Sequence, residues 1–306
     1  MSLSLSFTNP ILTRHLYSAA FFPPPPPPPP PSRSLFLSPH IPPNSRFHIL
    51  YRVPQRATVL PANAATASIF QDTAATAAIF AGAYALIFGF DTLTQKELIQ
   101  QSLSRKLVHI LSGILFAISW PIFSNAGEAR YFASLVPLVN SLRLVIHGLS
   151  LADDQSLLKS VTRQGNPKEL LRGPLYYVVM LMFCAVVFWR ESPVGLIALG
   201  MMCGGDGFAD IMGRQFGSSK IPYNQSKSWV GSISMFVSGF FISIGMVWYY
   251  SALGYFQLDW GDTVNRVALV SLVATVVESL PISNLIDDNI SVPLSSMLAA
   301  YFTFTL

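Results

Sequence analysis

Residues 204–232 bring together two carboxylates (Asp206 and Asp210), three cations (Arg214, Lys220 and Lys227) and six glycines, in a chain of which only 11% is charged. Asp206 and Asp210 are four residues apart, so on a helix their carboxylates share one face about one turn apart. Such paired oxygens suit Mg²⁺, which is typically held by one or two carboxylates together with substrate phosphates and water. A lone aspartate at this point would read as a helix cap. The pair reads instead as a metal and polyphosphate site, because Gly204, Gly205, Gly207 and Gly213 let the backbone approach a ligand. Arg214, Lys220 and Lys227 can hold a phosphate tail, and Ser228, Gly231 and Ser232 offer hydroxyl and backbone donors near the start of the next helix. The P-loop spacing G-x-x-x-x-G-K-[ST] does not occur.

Accessory groups lie elsewhere. Arg105, Lys106 and His109 fall at a helix start, with His109 one turn after Arg105. The histidine reads either as a hydrogen bond between helices or as a phosphate contact or proton relay. Glu278 is a carboxylate inside an apolar run, which makes it a functional candidate. Asp287, Asp288 and Asn289 form an oxygen-rich patch before another apolar run. That patch either caps a helix or completes a metal site and orients a substrate. Arg143 and His147 read as structural or snorkelling groups. The set contains no Ser-His-Asp or Cys-His arrangement and fits phosphoryl transfer, which depends on charge neutralisation and in-line positioning.

The elements that must position these residues are membrane helices. Of 306 residues 51% are hydrophobic, and the mean hydropathy is +0.47, too greasy for a soluble globule of this length. Apolar runs at 73–90, 107–123, 131–149, 173–189, 193–203, 230–253, 267–280 and 292–306 predict an all-α, multi-pass transmembrane bundle of six to eight helices. With all eight spanning, the segments 91–106, 150–172, 206–229 and 281–291 share one face and carry ten Lys or Arg. Segments 124–130, 190–192 and 254–266 share the other and carry three. Every polar cluster above then lies on the same side, which is assigned to the stroma, where nucleotide is available. No internal repeat of the transporter kind is present. Cys184 and Cys203 lie in apolar runs and read as small buried hydrophobes.

Residues 1–71 contain five arginines and no Asp or Glu, leaving 14 cations against 15 acids in the remainder. That body is nearly neutral, and no nucleic-acid partner is expected. The N-terminal segment is Ser- and Pro-rich and has nine consecutive prolines at 23–31, which exclude a helix and favour extended polyproline II. It resembles a chloroplast transit peptide. The division expected is a disordered transit peptide over 1–62 and a polytopic membrane domain over 63–306.

The run DGFADIMGRQFG (206–217) followed by KSWVG (227–231) resembles the D-x-x-A-x-x-x-G-R-x-x-G and K-[ST]-x-x-G signature of membrane cytidylyltransferases and polyprenol kinases. RKLVHILSG (105–113), ELLRGPLY (169–176), VESLP (277–281) and DDNISVP (287–293) are similar to the plant phytol kinase and farnesol kinase family, over about residues 95–306. The resemblance implies transfer of the γ-phosphoryl group of CTP, or UTP, to an isoprenoid alcohol. Phytol is preferred, with farnesol or geranylgeraniol as alternatives, in a chloroplast membrane and feeding tocopherol synthesis. On that reading Asp206 and Asp210 hold Mg²⁺, while Arg214, Lys220 and Lys227 neutralise phosphate charge with Ser228 and Gly231 beside them. Asp287 or Asp288 orients the alcohol. Val230-Gly231 stands where the cytidylyltransferases usually have Glu-Gly, and their C-terminal Lys-Asp…Pro-Gly-His-Gly-Gly run is missing, which argues against nucleotidyl transfer. A membrane cytidylyltransferase and a plastid transporter remain the competing readings.

Overall fold

The structure, a computed structural model, describes residues 62–152, 157–158, 161–162, 165–281 and 286–305. The transit-peptide segment and its proline run lie outside the described residues. The apolar runs become long helices: α1 Ala62–Gln95, α2 Gln101–Ser119, α3 Ala129–Gly148 and α4 Gly173–Val187. α5 Pro193–Leu199 continues through a π-helical turn, Gly200–Gly205, into α6 Asp206–Phe216. A two-residue strand β1 Lys220–Ile221 and its partner β2 Asn224–Ser228 form a hairpin before α7 Trp229–Ala252, α8 Trp260–Ser279 and α9 Asp288–Thr305. Six helical segments are long and apolar enough to cross a membrane. α8 and α9, at 20 and 18 residues, are of comparable length. The chain is a multi-pass helical membrane protein.

The short apolar run at 193–203 is the point where the sequence left most open. It does not end at Cys203 but extends through the glycines into the polar residues, giving a span Pro193–Phe216 whose apolar window is 83% buried. It is the central helix of the bundle. Glycines permit this, since an added Cβ at Gly204 would meet Ile242, one at Gly207 would meet Ile110, and one at Gly239 would meet the Met201 side chain. Close backbone approach through small residues is how helices associate where lipid removes the usual hydrophobic drive. The π-helical turn directly before Asp206 adds a residue to the helical repeat and re-aims the face that follows, a device concentrated at functional sites.

The end of the bundle remote from Asp206 is pinned by polar groups. Arg190 is 3% exposed and donates to the carbonyls of Phe123 (3.0 Å) and Ser124 (2.6 Å) and to Asn125 Oδ1 (2.9 Å). Its guanidinium lies 5.5 Å from the Trp189 ring centroid and 5.0 Å from that of Tyr255. Asp72 of α1 accepts from Ser124 N (2.6 Å) and Oγ (2.8 Å). These bonds join α1, the α2–α3 connection and the start of α5, satisfying backbone carbonyls that would otherwise face an apolar interior. Arg190→Met is expected to cost a few kcal/mol by leaving several carbonyls unpaired. The check is a thermal melt of the purified protein in detergent; a melt matching the parent would show that the carbonyls find other donors.

Candidate active site

Asp206 is the first residue of α6 and 7% exposed, and its carboxylate does not cap the helix. It accepts instead from Lys106 Nζ of α2 at 3.2 Å, with His109 Nε2 at 4.0 Å. Lys106 also lies 3.8 Å from Asp210, whose Oδ1 accepts from Arg214 Nε (2.9 Å) and Nη2 (2.8 Å) one turn on. The i, i+4 geometry read from the sequence is present, with two cations inserted between the two acids and the solvent side. His109 Nε2 is 3.4 Å from Met202 O on the central helix, and its ring centroid lies 4.0 Å from that of Tyr177. Tyr177 donates to His109 O (2.7 Å). His109 thus bridges helices, as one of its two readings had it, and borders Asp206.

A second cluster forms around Lys227. The hairpin is clamped to the end of α8, with Asn224 Nδ2 donating to Ser279 O (3.0 Å) and Leu280 O (3.1 Å) and Tyr223 Oη 2.8 Å from Ser279 Oγ. This clamp carries Lys227 to Glu278, with which it forms a close ion pair, and to Asp288 Oδ2 at 2.8 Å. Burial pulls the Lys227 ammonium down, but Glu278 and Asp288 more than reverse it and hold its pKa above the ordinary lysine range. The lysine is therefore cationic at any physiological pH.

The two clusters meet at their acids. Asp206, Glu278 and Asp288 each present an oxygen within 4.8 Å of the others, a grouping able to hold a metal ion. The sequence had paired Asp206 with Asp210; the structure groups Asp206 with Glu278 and Asp288, and gives Asp210 to Arg214 and Lys106. Asp287 has another task, since its Oδ1 accepts from Asn289 N (3.0 Å) and Nδ2 (2.8 Å) at the start of α9, as a capping residue does. Of the Asp287/Asp288 alternatives it is Asp288 that enters the cluster. Ser228 caps α7 by accepting from Gly231 N (3.1 Å), and a Cβ at Gly231 would lie 3.2 Å from Ala209 O and 3.5 Å from Gly213 Cα. Both residues also line the cavity described below. Lys220 is exposed and pairs with Ser228 across the hairpin.

The acids and cations of both clusters line one cavity of about 1770 Å³. Among the described residues, eight buried side-chain atoms have no hydrogen-bond partner. Four of them line this cavity: Asp210 Oδ2, Ser232 Oγ, Glu278 Oε2 and Asn289 Oδ1. Native interiors leave few such atoms, so their concentration here marks a place built for a polar ligand. The lining also contains apolar side chains, among them Ala83, Ile87, Val108, Leu144 and Val178. Arg143, read from the sequence as a structural or snorkelling group, also lines the cavity, as do Asn140 and Arg172. The signal available was the i, i+3 spacing of Asn140 and Arg143 on α3. Cys184 and Cys203 are buried and free, as the sequence suggested.

Over 249 residues, covering 81% of this chain and 82% of the relative, the sequence is 63% identical to "Phytol kinase 1, chloroplastic" of Arabidopsis thaliana. The chain belongs to the phytol kinase family. Other members similar to it are "Probable phytol kinase 1, chloroplastic" of Glycine max and "Probable phytol kinase, chloroplastic" of Zea mays. The first is 59% identical over 87% of each chain, the second 58% identical over 80% of each chain. No protein-family model matches the chain. No solved structure matches it. The cavity of this phytol kinase family member thus contains every segment on which the resemblance rested, from 105–113 on α2 to 287–293 at the start of α9.

Proposed function

We propose that the chain transfers the γ-phosphoryl group of CTP to phytol at a chloroplast membrane, with Mg²⁺ as cofactor, giving phytyl phosphate for tocopherol synthesis. The observation that carries this is one cavity lined both by acids and cations and by apolar side chains. At about 1770 Å³ it exceeds the roughly 300–1,000 Å³ of a pocket for one small ligand, which leaves room for a nucleotide and an alcohol together. The relatives' names support the alcohol and the compartment. The signature over 206–217 and 227–231 supports CTP. The concentration of charge at one end of the bundle favours an enzyme over a transporter, which would place charges near the midplane.

The residues present fit a divalent ion. Asp206 and Glu278 would hold it, Glu278 Oε2 being buried and without a hydrogen-bond partner, and Asp288 is close by. When bound, Mg²⁺ neutralises charge on the β and γ phosphates. Lys106, Arg214, Lys220 and Lys227 stabilise the charge that builds on the transferred group and on the leaving diphosphate. Ser232 Oγ, buried and unpaired at the cavity wall, supplies a donor to phosphate oxygen. Asp288 is the most exposed of the three acids and accepts a hydrogen bond from the alcohol's hydroxyl, orienting its oxygen in line with the phosphorus. The new C–O–P linkage forms as the bond to CDP breaks, and the hydroxyl proton leaves to carboxylate or water.

Membranes containing the full chain are to be incubated with γ-labelled CTP, Mg²⁺ and, separately, phytol, geranylgeraniol or farnesol. The expected products are labelled phytyl phosphate and CDP, with the label lost on adding EDTA and less product from the other alcohols. Pyrophosphate and a cytidylylated lipid, or no labelled lipid from any alcohol, would overturn the reading.

A further inference from the structure

The two halves of α1 are held unequally by the bundle. Its buried side chains are Asp72, Ala75, Thr76 and Ile79, all in the half tied to Ser124 and Arg190, and no residue from 80 to 95 is buried. The apolar window of the α1 span is 17% buried, against 28–83% for those of the other five candidate spans. An added Cβ at Gly89 would meet nothing within 4 Å. Yet this weakly packed half lines the cavity through Ala83, Tyr84, Ile87 and Phe88, an apolar stripe at helical spacing that ends at a carboxylate, Asp91, also on the lining. The Tyr84 and Phe88 rings are 70% and 62% exposed and stack with centroids 6.4 Å apart, so the stripe runs from the cavity onto the outer surface of α1.

Resting on the function proposed above, we propose that this stripe of α1 binds the isoprenoid chain of the alcohol substrate and passes it to the cavity sideways from the bilayer. In a membrane the exposed side of α1 faces lipid tails, where a long branched chain is dissolved. The apolar residues 83, 87 and 88 and the Tyr84 ring lead from there to the cavity, so that the chain slides in along them and only the hydroxyl has to reach the polar groups. The loose packing of this half is what permits the passage, since a tightly interdigitated helix would close it. Ala83 and Ile87, half-buried on the inner edge, then set how well a long chain is gripped compared with a short one.

The test uses the full chain in membranes, with phytol and the shorter isoprenoid alcohol geraniol as competing acceptors. Ile87→Trp and Ala83→Trp fill the inner edge and are expected to lower the ratio of kcat/KM for phytol to that for geraniol by about tenfold, equivalent to losing about two buried methylenes. A diazirine-bearing isoprenoid alcohol should label peptides within 80–95, and phytol should compete with that labelling. An unchanged ratio in both variants, or labelling elsewhere, overturns the assignment. So does an equal loss for both alcohols with a raised KM for the nucleotide, which would place the nucleotide on this wall. If the parent protein phosphorylates neither alcohol, the proposed function itself fails, an outcome visible before any variant is made.

Discussion

Asp206→Asn is expected to lower alcohol phosphorylation roughly 10²- to 10³-fold while the protein still inserts, which is the range seen when a preorganised charge at the transition state is lost. The substitution keeps size and shape, so the packing around α6 is undisturbed. It removes the carboxylate on which the two clusters converge: Lys106 lies 3.2 Å away, and Glu278 and Asp288 present oxygens within 4.8 Å. The informative comparison is Asp210→Asn. That carboxylate is engaged by Arg214 and Lys106 and stands outside the three-acid group, so its loss should act through the cations it positions and cost about tenfold. Rates are to be compared at matched amounts of inserted protein. Equal losses at the two positions would return the metal to the pair on one face of α6. Near-parental activity of Asp206→Asn would remove it from the mechanism.

Lys227→Met is expected to lower both stability and activity. The ammonium is the shared counter-ion of Glu278, 4% exposed, and of Asp288, and removing one partner of a buried pair typically costs about 3–5 kcal/mol. For a domain of this size that is a fall in melting temperature of roughly 10 °C. Lys227→Met combined with Glu278→Gln removes the stranded charge, so the melting temperature should recover while activity stays low. A double variant no more stable than the single one would show that Lys227 acts through something other than its acids. A single variant that melts like the parent would show that solvent or main-chain groups satisfy Glu278 without it.

What the sequence determined is what hydropathy and local spacing control. Apolar runs near the thickness of a bilayer must become helices, because backbone polar groups in lipid can only be satisfied within the segment. The same rule made charged residues rare enough for 204–232 to stand out, and the four-residue spacing of Asp206 and Asp210 survived because it is a property of one helix. The tertiary structure decided the rest, and for the reason that none of it is local. Glu278 and Asp288 reach Asp206 only because the hairpin clamps onto Ser279 and Leu280 and because Gly204, Gly207 and Gly239 let neighbouring backbones close on the central helix. The span 193–216 continued past its apolar stretch because the surrounding helices, and not lipid, solvate its polar end. Asp287 and Asp288 are adjacent in the chain and alike in chemistry. Which one caps α9 and which one faces Lys227 depends on side-chain directions fixed by packing, and no pattern of residue types encodes those directions.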